Sequence, residues 1–213
     1  MAIVNGYASL TDVKTALRIQ DGVDDSLLEI AIESASRMVD EYTMRNFYNA
    51  GTATRVFVPY TDDLVAIDDA VSISAIAVST LLNKTFDQTW SEVDYQTEPL
   101  NGIADGLSGW PITRIRAVGT YEFPNGNTRY RYEGRYGQED VATVQVTGVW
   151  GWSAVPTAVK QATIIQSMRI FKRLDSPLGV ISSPDTGYFR VSSRIDPDVA
   201  MLLNSYRRVR NQG

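Results

Sequence analysis

Cysteine and histidine are both absent from this chain of 213 residues. Without cysteine there can be no disulfides, no zinc–thiolate sites and no thiol nucleophile. Without histidine there is no serine–histidine triad and no imidazole metal site, and the commonest general base near neutral pH is missing. Carboxylates and lysines could still catalyse a reaction, but the two absences favour a protein that is not an enzyme.

Long apolar runs are absent as well. No stretch approaches the roughly 20 apolar residues that a membrane-spanning helix requires, and Met1–Asn5 lacks the basic and apolar segments of a secretory signal. We therefore expect no membrane contact, and a chain that stays in the cytoplasm or enters a particle assembled there. A hydrophobic content of 44% and a charged content of 21% are ordinary for a globular protein.

The net charge of −5 is distributed unevenly. Residues 1–159 contain 11 basic and 21 acidic residues, whereas residues 160–213 contain 9 basic and 4 acidic residues. The first part is therefore acidic, and the C-terminal part is basic. A basic tail indicates electrostatic binding to nucleic acid or to an acidic protein surface, or else a solvated helical face.

Helical signals dominate the first 50 residues. Ser9 followed by Asp12 is a capping box that predicts a short helix through Leu17. A second capping pattern, Ser26 with Glu29, predicts a longer helix. Apolar residues recur at helical spacing along it and predict one buried face, made up of Leu27, Ile30, Ala31, Ala35, Met38 and Tyr42.

Short segments rich in Val, Ile and Thr follow. Strands are predicted at residues 54–60, 64–67, 72–79, 112–118 and 141–149, with a hairpin over residues 121–132 and a glycine-containing loop over residues 101–109. The acid pairs Asp62–Asp63 and Asp68–Asp69 are interpreted as turns rather than as calcium ligands or an acid–base pair. Adjacent carboxylates in a strand point to opposite sides and rarely share one site.

Helix returns at Pro156, and an apolar stripe from Val159 to Phe171 continues it. Residues 182–195 lack periodicity and predict an extended arm or loop, after which Asp196–Asp198 caps a last helix. The predicted fold class is therefore α+β. A helical bundle core is expected from residues 1–50 and 153–213, with an inserted β-rich antiparallel domain over residues 51–152.

Aromatic and arginine residues alternate in and after the predicted hairpin. The set comprises Tyr121, Phe123, Arg129, Tyr130, Arg131, Tyr132, Arg135 and Tyr136. It could bind nucleic acid, or it could contact a neighbouring subunit, because Tyr and Arg are enriched at protein interfaces. Trp150 and Trp152 are interpreted as packing residues rather than as a stacking platform for bases or sugars.

Several motifs follow one another in a fixed order at the two ends of the chain. The first group is Tyr7–Lys14, Asp24–Glu29, Ala35–Asp40 and Asn46–Tyr48, and the second is Val146–Trp152, Val155–Pro156, Val159–Ala162, Phe171–Arg173, Ser176–Gly179 and Asp198–Arg208. In this order they resemble the head-to-tail connector proteins, or adaptors, of long-tailed, siphovirus-like phages. Residues 52–139 depart from the compact members and look like the larger insertion of actinobacterial phage adaptors.

This resemblance implies a structural adaptor, with neither catalytic activity nor cofactor, in the neck of a virion assembled in the host cytoplasm. A ring of twelve subunits is expected beneath the portal protein, with two different faces of each subunit meeting around the ring. A stopper or tail-completion protein would bind below, and double-stranded DNA would pass through the lumen without sequence specificity. In such a ring, the aromatic and arginine set is favoured as a subunit interface.

In that family the C-terminal segment commonly reaches the portal, and the corresponding part here is residues 182–213. Guanidinium groups suit carboxylates on a partner, and the apolar residues of the last helix would enter a groove. The candidate portal-docking residues are Arg190, Arg194, Leu202, Leu203, Tyr206, Arg207, Arg208 and Arg210. The alternative is a solvated helix end, which the helix dipole also favours.

Two other classes of function remain open. One is a carboxylate-based glycosidase or depolymerase, which the acids and aromatics could serve. The other is a monomeric module that binds carbohydrate or nucleic acid. The crowding of acids into predicted turns argues against the enzyme. Neither class needs a ring, so the mass in solution, with and without the portal, distinguishes them from an adaptor.

Overall fold

A computed structural model of the chain describes residues 3–59, 61–124, 141–174, 180–183, 187–190 and 195–208. The chain divides into two compact units, Met1–Tyr48 with Ala154–Gly213 and Asn49–Ser153. We call them the helical unit and the β unit. Within the described residues, the first contains four α-helices and the second a six-stranded antiparallel sheet. Helices combined with an antiparallel sheet confirm the predicted α+β class.

The helical unit is built from both ends of the chain. Its helices are α1 (Leu10–Leu17), α2 (Asp25–Thr43), α3 (Thr157–Leu174) and α4 (Pro197–Leu203), and a 3₁₀ turn, Asn204–Tyr206, follows α4. Helix α3 packs against each of the other three. None of the described helices combines the length and the apolar character that crossing a membrane would take.

Helix α1 begins with the predicted capping box. The Ser9 hydroxyl accepts a hydrogen bond from the backbone N–H of Asp12 at 3.1 Å, and the Asp12 carboxylate accepts one from the Ser9 backbone N–H at 3.0 Å. Lys160 on α3 lies 2.9 Å from the same carboxylate. The cap therefore also ties α1 to α3.

Helix α2 differs from the sequence prediction in its start and in its buried face. The backbone N–H of Leu28 bonds to the carbonyl of Asp24 at 2.9 Å, so Ser26 lies inside the helix and is not its cap. Leu27 and Ile30 are exposed. Ala31 and Ala35 are buried as predicted, and the other buried residues are Leu28, Ile32, Ser36, Val39 and Thr43. The prediction was wrong for Leu27 and Ile30, because α2 is apolar on two sides and only packing against α1 and α3 selects one of them.

The region predicted as an extended arm contains a pair of short strands. Val180–Ser183 (β9) pairs antiparallel with Gly187–Arg190 (β10). Backbone pairing needs no apolar periodicity, so this sequence gave no signal for the pair. Six residues of the predicted segment, Ser182, Ser183 and Gly187–Arg190, are therefore strand rather than loop.

The β unit contains the other strands. They are β1 (Asn49–Phe57), β2 (Leu64–Val78), β3 (Gln88–Trp90), β4 (Tyr95–Glu98), β5 (Ile103–Ala104), β6 (Leu107–Ser108), β7 (Ile112–Ala117) and β8 (Val144–Gly151). The main sheet has the order β1-β8-β2-β7-β4, and β3 pairs with the end of β2. Strands β5 and β6 form a separate pair within the predicted loop.

Strand β2 is continuous where the sequence indicated two strands and a turn. Asp68 and Asp69 lie inside it, at a shift of register between Ala66 and Ala70. Such a bulge lets a strand bend without ending. The turn predicted at this acid pair is therefore wrong, whereas Asp62 and Asp63 do lie in the bend before β2.

One side of the sheet forms the core of the β unit. Its fully buried large side chains include Val65, Ile76, Ile115 and Trp150. Strand β2 also shifts its register against β8 between Ala70 and Ser72 and between Ile73 and Ala75. Gly148 is required there, because a Cβ atom at this position would lie 2.3 Å from the carbonyl oxygen of Ser72. Sequence periodicity identified β8 correctly but could not show this close approach of two backbones.

Replacing Asp12 with Asn tests the cap of α1. Hydrogen bonds from Ser9 and from Lys160 lower the pKa of Asp12 to about 2. An acid whose pKa is lowered by folding stabilises the fold above its unfolded pKa, and that stability is lost as pH falls through the folded pKa. We expect Asp12→Asn to cost on the order of 1 kcal/mol at pH 7, and the difference from wild type to disappear between pH 4 and 2.

Urea unfolding at each pH measures this difference, with Asp21→Asn, an exposed acid before α2, as the control. A cost that is unchanged at pH 2 would contradict the role given to the Asp12 carboxylate.

Candidate interaction surfaces

A buried tyrosine joins the start of the chain to the end of α2. Tyr7 is 3% exposed, and its hydroxyl donates a hydrogen bond to the Asp40 carboxylate. The same hydroxyl accepts a hydrogen bond from the backbone N–H of Phe47 at 2.9 Å. Arg37 lies beside the pair, with its Nε 3.3 Å from an Asp40 oxygen. One hydroxyl thus links the N-terminal segment, α2 and the residues that lead into β1.

Burial dominates the electrostatics of this pair. It raises the pKa of Tyr7, and the hydrogen bond to Asp40 raises it further, so the phenol remains protonated and can donate. Burial also raises the pKa of Asp40, against the lowering effects of Tyr7 and Arg37. The two partners offset the cost of removing the Asp40 carboxylate from water.

The C-terminal segment packs on the same residues. The Tyr206 ring meets the Phe47 ring edge-on, with 5.8 Å between centres, and Phe47 meets Tyr7 in the same manner at 5.6 Å. Arg45 Nε donates a hydrogen bond to the Tyr206 carbonyl at 2.8 Å. We call Tyr7, Phe47 and Tyr206 the terminal clasp, because these rings hold both ends of the chain against the end of α2.

Further bonds fix the residues that follow α4. The Tyr42 hydroxyl donates to Asn204 Oδ1 at 2.7 Å, and the backbone N–H of Arg208 donates to the Thr43 carbonyl at 2.8 Å. Arg207 is exposed, and its guanidinium lies 5.5 Å from the centre of the Tyr42 ring. The chain is therefore attached to α2 up to Arg208.

In the β unit, Trp150 and Trp152 are both buried. Trp150 Nε1 donates to the Ala53 carbonyl at 2.7 Å, and Trp152 Nε1 donates to the Asp69 carboxylate at 2.9 Å. With their polar groups bonded inside the unit, these rings stabilise it and cannot serve as a platform for bases or sugars.

The outer side of the sheet is uncharged over β1, β8 and the second half of β2. Residues that pair across these three strands form three rows, with one residue from each strand in every row. All nine side chains are uncharged, and each is either polar or small and apolar. They are Thr52, Thr54, Val56, Val149, Thr147, Gln145, Ser72, Ala75 and Ala77. Val56 is 52% exposed. We call this set the uncharged face.

The other half of the same side carries charges. Arg114 and Arg116 flank the buried Ile115 on β7 and so point outward. Arg116 Nε lies 2.7 Å from Glu98 on β4, and its terminal nitrogen lies 2.5 Å from Asp63. The side chains on one side of a single sheet thus change from charged to neutral across its width.

Each of the two outermost strands of the main sheet, β1 and β4, pairs with a neighbour on one side only among the described residues. Strand β1 pairs with β8, and β4 pairs with β7; among the described residues no strand pairs with the other edge of either. The single charged residue of β1 is Arg55, which lies 4.5 Å over the Trp150 ring and 2.7 Å from Asp68. On the uncharged face, β1 therefore presents no charged side chain to solvent.

Comparison with known protein families gives one match, in the N-terminal part of the chain. Residues 7–97 match the family described as Phage gp6-like head-tail connector protein. The matched segment covers a little under half of the chain and includes α1, α2 and the strands from β1 into β4. No curated protein sequence matches the chain significantly.

Two solved structures share the fold over the whole chain. A chain of the "Neck of empty GTA particle computed with C6 symmetry" has a TM-score of 0.54 and 15% identity, and the match covers 100% of this chain and 95% of that one. A chain of the "Virion of native gene transfer agent (GTA) particle" has a TM-score of 0.52 and 13% identity, with the same coverage. At identities this low, the likeness shows the fold of the chain and no more.

The predicted portal-docking residues do not form one exposed surface among the described residues. Leu203 and Tyr206 are buried in their own helical unit, so that part of the prediction is corrected: they pack within the chain. Leu202 is half-buried, Arg207 is exposed and Arg208 is partly exposed. The side chains of Arg190, Arg194 and Arg210 lie outside the described residues. These three arginines stay predicted portal contacts, as do Leu202, Arg207 and Arg208.

The predicted subunit-interface set changes as well. Phe123 is 1% exposed and stacks on Trp90 with 4.6 Å between ring centres, so it belongs to the core. Tyr121 packs against Trp90 at 5.3 Å and keeps part of its ring exposed. Arg129, Tyr130, Arg131, Tyr132, Arg135 and Tyr136 lie outside the described residues, and their role at an interface stays a prediction.

Acidic residues are engaged within the fold. Asp63 and Asp68 form ion pairs with Arg116 and Arg55, and Asp69 accepts a hydrogen bond from Trp152. No group of three or more acidic side chains in the described part of the chain is placed to hold a metal ion. These three acids therefore contribute ion pairs and hydrogen bonds to the β unit.

The sequence prediction missed the terminal clasp and the uncharged face. Tyr7 and Tyr206 are almost 200 residues apart in the chain, and no local pattern pairs them. The uncharged face could have been noticed, since Thr52, Thr54 and Val56 alternate along β1 with no charged residue at these positions. The alternation becomes a surface only because β1 pairs in register with β8, and β8 with β2. This pairing is visible in the fold and not in the sequence.

The terminal clasp predicts how truncation affects the protein. Ending the chain after Ser205 removes Tyr206 and the Arg208 bond, and is expected to lower the free energy of unfolding by about 3 kcal/mol or more, as for other buried aromatics. Ending it after Arg208 keeps every contact described above and is expected to change stability by less than about 0.5 kcal/mol. Urea unfolding compares the two; equal stabilities would contradict the structural role of Tyr206.

Proposed function

We propose that this protein is the head-to-tail adaptor in the neck of a phage or phage-like particle, with a structural role and no catalytic one. The match of residues 7–97 to the gp6-like head-tail connector family carries the proposal. The likeness of the whole chain to a chain of a particle neck supports it, because the second half of the chain then belongs to the same kind of fold.

In this proposal the protein forms a ring between the portal protein and a stopper or tail-completion protein. A closed ring requires two different faces of each subunit to meet, repeated around one axis. We propose twelve subunits, a number that is compatible with the sixfold symmetry of the neck whose chain has a similar fold.

The basic C-terminal part is the proposed contact with the portal. It carries a net charge of +5, while residues 1–159 carry −10. Arg207 is exposed at the end of the described chain, held in place by the backbone bond of the next residue to Thr43. An anchored arginine can reach a carboxylate on a partner without losing much side-chain freedom.

Double-stranded DNA would pass through the ring without binding to it. A protein holds DNA by neutralising phosphates with basic side chains and releasing counterions. The acidic excess of residues 1–159 opposes such binding, and so suits a conduit. The arrangement of the subunits in the ring determines which residues face the lumen.

Loss of the protein tests the proposed function directly. Particles produced without it are expected to yield DNA-filled heads and separate tails, since only the joint between them is missing. Electron microscopy and DNA quantification of the lysate distinguish this result. Complete particles, or heads that are empty because packaging failed, would contradict an adaptor role.

The portal contact is tested by Arg207→Glu, with Lys84→Glu as a control that makes the same charge change at an exposed lysine of the β unit. We expect the first variant to bind purified portal at least about tenfold more weakly, because like charges at an interface cost several kcal/mol. The control should bind as wild type does, and both should keep the wild-type melting temperature. Wild-type binding by Arg207→Glu would exclude this arginine from the contact.

A further inference from the structure

We propose that the ring of Tyr42 orients the Arg207 guanidinium so that it can bind a carboxylate on the portal protein. The inference rests on the proposed contact between Arg207 and the portal, and it adds a positioning residue to that contact. It is carried by the contacts of Tyr42 with the segment after α4, by the bonds that hold this segment without Tyr42, and by the geometry of a guanidinium group.

Tyr42 lies in the last turn of α2 and contacts the segment that follows α4 in two ways. Its hydroxyl donates a hydrogen bond to Asn204 Oδ1 at 2.7 Å. The Arg207 guanidinium lies over its ring, 5.5 Å from the centre, within the range of a cation–π interaction. Asn204 connects the two contacts, because its carbonyl accepts the backbone N–H of Arg207 at 3.2 Å. The Tyr42 side chain therefore touches both the turn that carries Arg207 and the guanidinium itself.

Other bonds attach this segment to α2 without Tyr42. Tyr206 is buried, and its carbonyl accepts a hydrogen bond from Arg45 Nε at 2.8 Å. The backbone N–H of Arg208 donates to the Thr43 carbonyl at 2.8 Å. The backbone on both sides of Arg207 is thus held by groups other than the Tyr42 ring. What the ring can still fix is the Arg207 side chain, which is exposed.

The contact with the ring leaves the guanidinium able to bind an anion. A guanidinium that lies over a ring uses its flat face, whereas its N–H groups point outward in its plane. Two of these N–H groups can meet the two oxygens of one carboxylate. An arginine that rotates freely loses much of its side-chain freedom when it forms such a pair. Because the ring restricts Arg207 beforehand, less freedom is lost on binding, and the affinity is higher.

The charges beside Arg207 favour a carboxylate on a protein over the phosphates of DNA. DNA is held by several basic side chains that follow its backbone. The last turn of α2 carries two acids, Asp40 and Glu41, and no basic residue, and Glu41 is exposed. An extended polyanion at this turn would therefore approach negative charge as well as Arg207. One carboxylate needs only the guanidinium.

Nuclear magnetic resonance of the free protein tests the orientation without the portal. In the wild type, the ring current of Tyr42 should shift the side-chain protons of Arg207 upfield. Tyr42→Phe keeps a ring and should keep the shift, whereas Tyr42→Leu should abolish it. Tyr48→Leu is the matched control, since the Tyr48 ring lies 5.7 Å from another guanidinium, that of Arg37. Arg207 signals without an upfield shift in the wild type would refute the orientation.

Binding to purified portal tests the consequence. Tyr42→Leu is expected to weaken binding about threefold to fivefold, the range of one exposed cation–π contact. Tyr42→Phe and Tyr48→Leu should bind as the wild type does. In a chain that already carries Arg207→Ala, Tyr42→Leu should have no further effect, because the ring acts only through the guanidinium. Melting temperatures check that every variant folds.

The remaining outcomes separate the inference from the proposed function. Equal losses in Tyr42→Phe and Tyr42→Leu would assign the effect to the Asn204 bond and overturn the role of the ring. Wild-type binding by Tyr42→Leu, with Arg207→Ala still defective, would refute the inference and leave the portal contact standing. Wild-type binding by Arg207→Ala would exclude the portal contact itself. A defect seen with a short DNA duplex and not with the portal would assign the site to DNA.

Discussion

The bond from the Tyr7 hydroxyl to Asp40, with the Phe47 N–H bonded to the same hydroxyl, is the interaction on which the helical unit depends. It fixes the N-terminal segment, the end of α2 and the residues before β1 at one point. Phe47 then packs against Tyr206, so the 3₁₀ turn Asn204–Tyr206 is held by the same group. Because the helical unit is assembled from both ends of the sequence, it needs such a cluster to close it.

The terminal clasp also changes how the basic C-terminal part can work. If Leu203 and Tyr206 were free, they could enter a groove on a partner; buried as they are, they hold Arg207 at the surface instead. A partner then meets a fixed charge on a folded support.

Local signals in the sequence were sufficient for some of this and not for the rest. The capping box at Ser9, the stripe of α3 and the alternation of β8 depend on neighbours within a few residues, and these elements were predicted correctly. The burial of Leu28 rather than Leu27, and of Phe123, depends on what packs against them, which the sequence does not state. Asp68 and Asp69 were misread because a bulge and a turn use the same residues. The sequence predicted the interaction surfaces less well than the helices and strands. A surface combines residues that are distant in the chain, and local patterns do not show which of them come together.

The central claim is that this chain forms the ring between head and tail, and an image of a particle neck tests it most directly. Cryo-electron microscopy of particles in which the protein carries a small C-terminal tag should show one ring of density beneath the portal, into which the α+β subunit fits in every position. The tag density should lie on the side of the portal. A neck whose rings are all accounted for by other proteins, with the tag absent or elsewhere in the particle, would contradict the claim.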